Sequence, residues 1–305
     1  MHTESNTMKA VIKPTPHPQK DWEKGLILTE VPIPQITDPR EVKIEILASA
    51  ICGTDVGIYN SKQSLKDEML SNTTPYVIIG HEFAGKIVDA GDIARKHLAG
   101  LLIVKSYEDK TLSDFIGKRN TDELAGDPDL IKFLNENFVV SAEMHITCGK
   151  CYQCRIGQKH VCQNTKIKGI HEDGAFTKYV KVPAENIVLF RNGELPVEII
   201  AFMDAIGNAV HTAQSVNLMG QTVAILGCGV QGLMATAIAK LVQNEDLSLE
   251  ESYFAMRLIM SGEAEPVQIA GFLVGLRMKG ETAHEIAGCA KAMREKAGSQ
   301  ILKML

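Results

Sequence analysis

The sequence predicts a mixed α+β chain: a small β-barrel-like domain with a cysteine-rich lobe, one strand–turn–helix unit, and a helical tail. Three observations carry this. Apolar runs of strand length fill Met8 to Gly91 and return from Phe138. The stretch "TVAILGCGVQGLMATAIAK" joins an apolar run to a glycine-rich turn and an apolar helix. Beyond Leu226 the pattern is helical, with no strand-like run.

Taken in order, "MKAVIK", "LILTEVP" and "EVKIEILAS" alternate or run apolar over strand lengths, and "FAGKIVDAG" closes the series with a glycine. From Asp92 to Asn137 the pattern becomes helical; "GDPDL" offers Asp127 as N-cap and Pro128 at the first helical position, ahead of Leu130, Ile131, Phe133 and Leu134. The plainest expectation for this insert is a surface excursion, because long insertions in loops cost little closure entropy. "FVVSAEM", "AFTKYVKVP" and "IVLF" resume strand character around the cysteine-rich loop, and Pro196 to Asn217 is helical. In the tail, Ser248 with Glu251 and Thr282 with Glu285 have capping-box spacing. Gly262 and Gly280 stand where C-terminal caps belong, and Pro266 opens a middle helix, so three short helices are expected.

At 305 residues, with 45% apolar residues and a formal charge of −5, the chain is long enough for two domains with ordinary cores. No basic cluster invites nucleic acid or an anionic membrane. The longest apolar run, "LAGLLIV", is far short of the roughly 20 residues that span a bilayer. The polar start "MHTESNT" lacks a secretory core, so a cytoplasmic protein is expected, where cysteines serve metals or catalysis more often than disulfides.

"CGKCYQCRIGQKHVC" sets Cys148, Cys151, Cys154 and Cys162 so that three thiolates converge from a tight loop and a fourth closes a tetrahedron. Zinc favours this all-sulfur arrangement in structural sites, and an iron–sulfur cluster is the competitor. A second signal is split between "ICGTD", with Cys52, and "IIGHEFAG", with His81 and Glu82. Each part alone reads as well as a buried small hydrophobe or a hydrogen-bonded core histidine. Both, however, lie at strand ends beside glycine, where backbone can approach a ligand closely. Mixed thiolate, imidazole and carboxylate ligation with an open position is the catalytic kind of zinc site. The third signal is "GCGVQG", with Gly227, Gly229, Val230 and Gly232, in the order strand, turn, helix, where a helix N-terminus can receive a pyrophosphate.

The motifs "MKAVIK", "ICGTDVGIYN", "GHEFAGKIVDAG", "HITCGKCYQC", "GAFTKYVKVPAENI", "DAIGNAVHTA" and "VAILGCGVQG" together resemble the zinc-dependent medium-chain alcohol dehydrogenase family, above all its L-threonine 3-dehydrogenase branch. The resemblance covers residues 8–91 and about 138–242. It implies a GroES-like β-barrel catalytic domain over 8–91 and 138–195 and a truncated Rossmann β–α unit over 196–243, while the helical pattern marks an insert over 92–137 and a helical module over 244–305. It further implies Cys52 and His81 as catalytic zinc ligands with Glu82 as an exchangeable one. Asp204 becomes an acidic ligand or outer group, and Thr54 the hydroxyl that takes the substrate proton. The four lobe cysteines become the structural site. The implied cofactors are two zinc ions per chain and NAD(P), with a small alcohol or amino-acid substrate. Members of the family usually form oligomers.

Three departures stand out. Many members carry a relay histidine two residues before the "IY" that follows "CGTD", and here Gly57 stands in its neighbourhood. The insert replaces a short turn with a Gly-Asp-x-Val element. After the glycine turn no second strand follows: Asp246 and Glu250 lie near the count for a ribose-binding acid but read as part of a helix cap. The tail, with "AMRLIMSGEAEPVQIAGFL" and "RMKGET", instead resembles the N-terminal helical domain of anthranilate phosphoribosyltransferase and related nucleoside phosphorylases, which places a seam near Leu241 to Glu245. A non-catalytic zinc-binding chimera with an interaction tail is the competing reading.

Overall fold

The computed structural model describes residues 6–107, 109–216, 218, 223–226, 229–242, 246–261, 272–273, 276 and 280–304. The chain forms two compact units, Met1–Ala201 and Phe202–Leu305.

The first unit is built on antiparallel strands. β1 (Thr7–Pro14) pairs with β2 (Ile27–Pro32) on one side and β4 (Tyr76–Ile78) on the other. Its alternation is that of a half-buried strand: Met8, Ala10 and Ile12 face inward against Val31 and Ile78. The larger sheet involves β3 (Glu41–Ala50), β5 (Glu82–Ala90), β6 (Phe138–Ala142), β9 (Tyr179–Pro183) and β10 (Ile187–Arg191), in the order β10-β6-β5-β3-β9. Between β3 and β5 the register shifts twice, bending the sheet toward closure. At that bend a Cβ on Gly85 would stand 2.3 Å from the Glu45 carbonyl oxygen, so no other residue fits there. β7 (His145–Ile146) and β8 (Lys166–Ile167) form the two-stranded base of the cysteine lobe, which also carries α7 (Tyr152–Arg155).

The insert folds as α3 (Asp92–Ser106), α4 (Ser113–Ile116), α5 (Thr121–Ala125) and α6 (Leu130–Asn137). It is not a surface excursion. Ala94, Leu98 and Leu102 repeat at helical spacing, and with Leu112, Leu124, Leu130 and Leu134 they share one core with Val42, Ile44, Phe83 and Val140. Polar contacts fix it as well: Arg191 of β10 pairs with Asp109 at 2.9 Å and donates to the Thr111 hydroxyl, and Asn135 donates to the Ile87 carbonyl. Asp127 is not the N-cap of α6. Pro128 and Asp129 form a turn first, Asp129 takes the cap position, and the Asp127 carboxylate accepts the Asp129 N–H at 2.8 Å and pairs with Arg119.

After β10, α8 (Val197–Ala201) packs Ile200 and Ala201 against Ala84 and Val139. In the second unit α9 (Met203–Gln214) packs with α10 (Val230–Val242). Its tail pairs α11 (Leu249–Ser261) with α12 (Ala283–Met304). The helices meet closely at Gly288, where a Cβ would stand 2.2 Å from the Ser252 hydroxyl oxygen. Both expected capping boxes form: Ser248 and Glu251 exchange bonds of 3.0 and 3.1 Å, and Thr282 and Glu285 bonds of 2.7 and 3.3 Å. Gly280, at φ +87°, donates to the Leu276 carbonyl as a helix C-cap does. Gly262 and Pro266 lie outside the described residues.

The strand expected over "TVAILG" is not formed in its described part. Val223 to Leu226 belong to no ladder, and Leu226 is 99% exposed. The physical reason is that a parallel strand is stable only when neighbours cover both its edges and its faces, and the sequence supplies no second strand to pair with it. Among the described residues no helix is long and apolar enough to cross a membrane.

Candidate metal centres and active site

The β3–β5 pairing explains how Cys52 meets His81 across a sequence gap. Ala50 at the end of β3 lies opposite Glu82 at the start of β5, so the residues just beyond each end converge. Cys52 is the N-cap of α1 (Gly53–Tyr59), and His81 follows Gly80, whose φ is +92°. The ligand atoms of Cys52, His81 and Glu82 lie within 4.8 Å of one another, with His81 and Glu82 buried. A zinc ion bonded at ~2.0–2.3 Å would draw such atoms to about 3.3–3.8 Å, a small rotation from where they stand.

Asp55 completes this cluster and was not singled out from the sequence. Its carboxylate, 2% exposed, accepts the Cys52 backbone N–H at 2.8 Å, while its other oxygen faces His81 Nδ1 at 3.5 Å. Among the described residues these two buried atoms have only this long contact with one another. Burial disfavours the imidazolium, but Asp55 and Cys52 outweigh it and raise His81 to about 10. A half-buried thiol, a buried imidazole and the buried Glu82 carboxylate are the donor set of a divalent cation, which would take His81 Nε2 and leave Nδ1–H for Asp55. The readable signal was the acidic residue three after Cys52, a capping-box spacing. Thr54 lies half-buried in the first turn of α1. Gly57 is buried, and a Cβ there would meet Leu65 Cδ1 at 2.6 Å, so no imidazole replaces the relay histidine at that position.

A glycine-lined loop braces His81 from behind. Gly174, Ala175 and Phe176 donate to the carbonyls of Ile78, Gly80 and Ile79 at 2.7, 2.8 and 2.9 Å. Gly169 and Gly174 both press against the Gly80 carbonyl, so the peptide leading into His81 is clamped by backbone.

In the lobe all four expected cysteines converge, their sulfurs within 4.8 Å. Cys162 Sγ lies 3.6 Å from Cys148 Sγ and 3.8 Å from Cys151 Sγ. Zinc–sulfur bonds of ~2.3 Å place tetrahedral ligands about 3.8 Å apart, whereas an iron–sulfur cluster puts iron and sulfide between its thiolates and spreads them further. The observed spacing fits a single ion. Backbone N–H groups of Lys150 and Cys151 lower the Cys148 thiol to about 6, and those of Cys148 and Asn164 lower Cys162. Burial and the neighbouring sulfurs of Cys151 and Cys162 push Cys154 up to about 12. Four thiolates cannot coexist there without a cation, and a zinc ion held by these cysteines would supply that charge.

The remaining expected residues lie in the second unit. Asp204 stands in the first turn of α9. Gly229 precedes α10 and accepts the Leu233 N–H at 3.0 Å, opening the helix that also holds Val230 and Gly232. Gly227 lies outside the described residues.

Residues 38–126 and 137–196 match the family described as the alcohol dehydrogenase GroES-like domain, and residues 235–297 match the helical bundle domain of a glycosyl transferase family. The L-threonine 3-dehydrogenase of Bacillus subtilis (strain 168) is 37% identical over 257 residues, 84% of this chain and 60% of that protein. The L-threonine 3-dehydrogenase of Chelativorans sp. (strain BNC1) is 32% identical over 301 residues, 95% of this chain and 73% of that protein. A zinc-binding dehydrogenase from Sinorhizobium meliloti 1021, solved with NADP, superposes with a TM-score of 0.53 at 26% identity, covering 77% of this chain and 54% of the other. An alcohol dehydrogenase from Thermus sp. ATN1 has the same fold at a TM-score of 0.54 and 22% identity, covering 77% and 55%. The chain thus spans about 60% of the first of these curated relatives. With the relatives, the family match and the GroES-like strands in agreement, the chain belongs to the zinc-dependent alcohol dehydrogenase family that includes the L-threonine 3-dehydrogenases.

Proposed function

We propose that the chain is a zinc- and NAD(P)-dependent oxidoreductase that oxidises a secondary hydroxyl, most like an L-threonine 3-dehydrogenase. The observation that carries this is the convergence of half-buried Cys52 with buried His81 and Glu82, beside the buried Asp55–His81 pair. In this reading those three residues hold a catalytic zinc, and Cys148, Cys151, Cys154 and Cys162 hold a structural one. Bound zinc supplies a Lewis acid that lowers the pKa of a substrate hydroxyl toward neutrality.

The chain's own groups do the rest. Asp55 orients the His81 ring through Nδ1 and keeps Nε2 turned to the metal. The Thr54 hydroxyl accepts the substrate proton at Oγ1, and with Gly57 offering no imidazole the proton passes from there to water. Burial of His81 and Glu82 keeps bulk water from the ligands. The nicotinamide cofactor supplies the hydride acceptor. Its pyrophosphate suits the N-terminus of α10, at Gly229, Val230 and Gly232 with Gly227 before them. Val223 to Leu226 add no sheet edge to that cradle, so cofactor affinity is expected well below that of a family member with a complete parallel sheet.

The proposed division is a catalytic domain over 8–91 and 138–195 with the 92–137 insert, a partial nucleotide unit over 196–243, and a helical module over 244–305. A cytoplasmic setting, which keeps thiols reduced, suits the four zinc-binding cysteines. The test is zinc content measured together with NAD(P)-dependent oxidation of a small alcohol panel, L-threonine first. Two zinc ions per chain with turnover support the reading. One zinc and no turnover favour a non-catalytic zinc protein, the alternative to which the unpaired stretch Val223 to Leu226 lends weight.

A further inference from the structure

Lys13 is the largest fully buried side chain of the first unit that carries a charge, 1% exposed at the end of β1. A buried ammonium is costly unless each proton finds an acceptor. Here all three do: Nζ donates to the Glu23 carbonyl at 2.5 Å, the Gly25 carbonyl at 2.9 Å and the Ser61 hydroxyl oxygen at 2.9 Å. The Trp22 ring covers the remaining face, its centroid 4.4 Å away. Two of the acceptors belong to the segment between β1 and β2. The third stands two residues beyond the last turn of α1.

That third acceptor is held with some strain. Ser61 is the one described non-glycine residue with positive φ, at +55°. Its hydroxyl also donates to the Glu23 carbonyl at 2.8 Å, and the Gly25 N–H donates to the Tyr59 carbonyl at 2.7 Å. An unfavourable backbone conformation persists only where surrounding bonds impose it. The whole knot therefore fastens the C-terminal end of α1. Helix α1 has only seven residues, so its N-terminal end, with Cys52, Thr54 and Asp55, follows any shift of that anchor as a rigid piece.

We propose that Lys13 is a positioning residue that sets how α1 presents Cys52, Thr54 and Asp55 to His81, although it touches none of them. The effect on metal affinity rests on the metal reading of the Cys52–His81–Glu82 cluster; the anchoring of α1 does not. The test uses the full chain loaded with cobalt(II) in place of zinc, comparing wild type with Lys13→Met and Ser61→Ala. The four-cysteine site reports folding. With that site unchanged, Lys13→Met is expected to weaken the second metal at least about tenfold and to alter its thiolate–cobalt absorption, with Ser61→Ala smaller in the same direction. Unchanged affinity and spectrum at the second site in Lys13→Met overturn the proposal. Amide hydrogen exchange over residues 53–60 is read in parallel. If wild type binds only the four-cysteine metal, the cluster reading fails and exchange alone decides. Lost protection of α1 in Lys13→Met upholds the anchoring, and unchanged protection refutes it. Loss of the four-cysteine metal in Lys13→Met passes the decision to Ser61→Ala on the same two readouts.

Discussion

Replacing Gly174 by alanine tests whether the clamp behind His81 is as tight as its contacts imply. A Cβ at this position would stand 2.0 Å from the Gly80 carbonyl oxygen, 2.8 Å from Gly169 Cα and 2.9 Å from Gly169 N, all of them backbone atoms. No side chain can swing aside, so the loop must retreat by about 1.4 Å to reach an ordinary contact of 3.4 Å. That retreat breaks the bonds from Gly174 N–H to Ile78 and from Ala175 N–H to Gly80, now 2.7 and 2.8 Å. Two net hydrogen bonds at roughly 1 kcal/mol each, with overpacking at roughly 1–3 kcal/mol, suggest a loss of about 3–5 kcal/mol. For a unit of this size the melting temperature should fall by roughly 6–20 °C. The measurement is thermal unfolding followed by circular dichroism, together with zinc per chain. His81 shares its peptide with Gly80, so the metal proposed at Cys52 and His81 should weaken while the one proposed at the four cysteines stays. A variant that melts within about 2 °C of wild type and keeps both metals would show that the loop yields freely, and would refute the clamp.

The insert supplies a second check: Leu98→Ala removes a fully buried side chain from the shared core and should cost about 2–5 kcal/mol in urea unfolding, whereas a residue on a mere excursion would cost almost nothing. Two residues along the same helix, Gly100→Ala should stabilise by about 0.5–1 kcal/mol, because a Cβ there meets nothing within 4 Å and alanine lowers the entropy of the unfolded chain. For pH, burial raises Glu41, but the Lys181 ammonium at 2.9 Å and the N–H groups of Thr37 and Asp38 outweigh it and hold its carboxyl below the ordinary 4.5. A carboxyl depressed on folding stabilises above its unfolded value and loses that contribution as pH falls through the folded one. Wild type should therefore lose stability below about pH 4.5 more steeply than Glu41→Gln, and parallel acid-unfolding curves would count against the pairing.

Local rules were legible wherever a few neighbouring residues settle the outcome. Ser248 with Glu251 and Thr282 with Glu285 form their boxes because four residues decide a cap. The cysteine lobe was legible for the same reason. The Cys52–His81 pair was readable only in halves, since what joins them is the Ala50–Glu82 register, a long-range fact. Asp55 and Lys13 escaped notice because their significance lies in burial: each sits beside partners that spacing does not reveal. The insert showed its helices but not their destination, because an apolar face says that something must cover it and not what. The apolar run Val223 to Leu226 misled in the other direction, with strand residues that join no sheet among the described residues.

The β3–β9 pairing sets an order of events during synthesis. Val42 lies opposite Val182, so the sheet edge that β3 offers waits for nearly the whole first unit to be made. Cys52, His81, the insert and the cysteine lobe all emerge earlier. Until β9 arrives, β3 carries an open row of backbone donors and acceptors beside Cys52 and His81, the kind of edge that captures other chains. Early packing of the insert's helices against Val42 and Ile44 would cover that sheet's apolar face in the interval, which gives the long interruption between β5 and β6 a part in how the chain survives its own assembly.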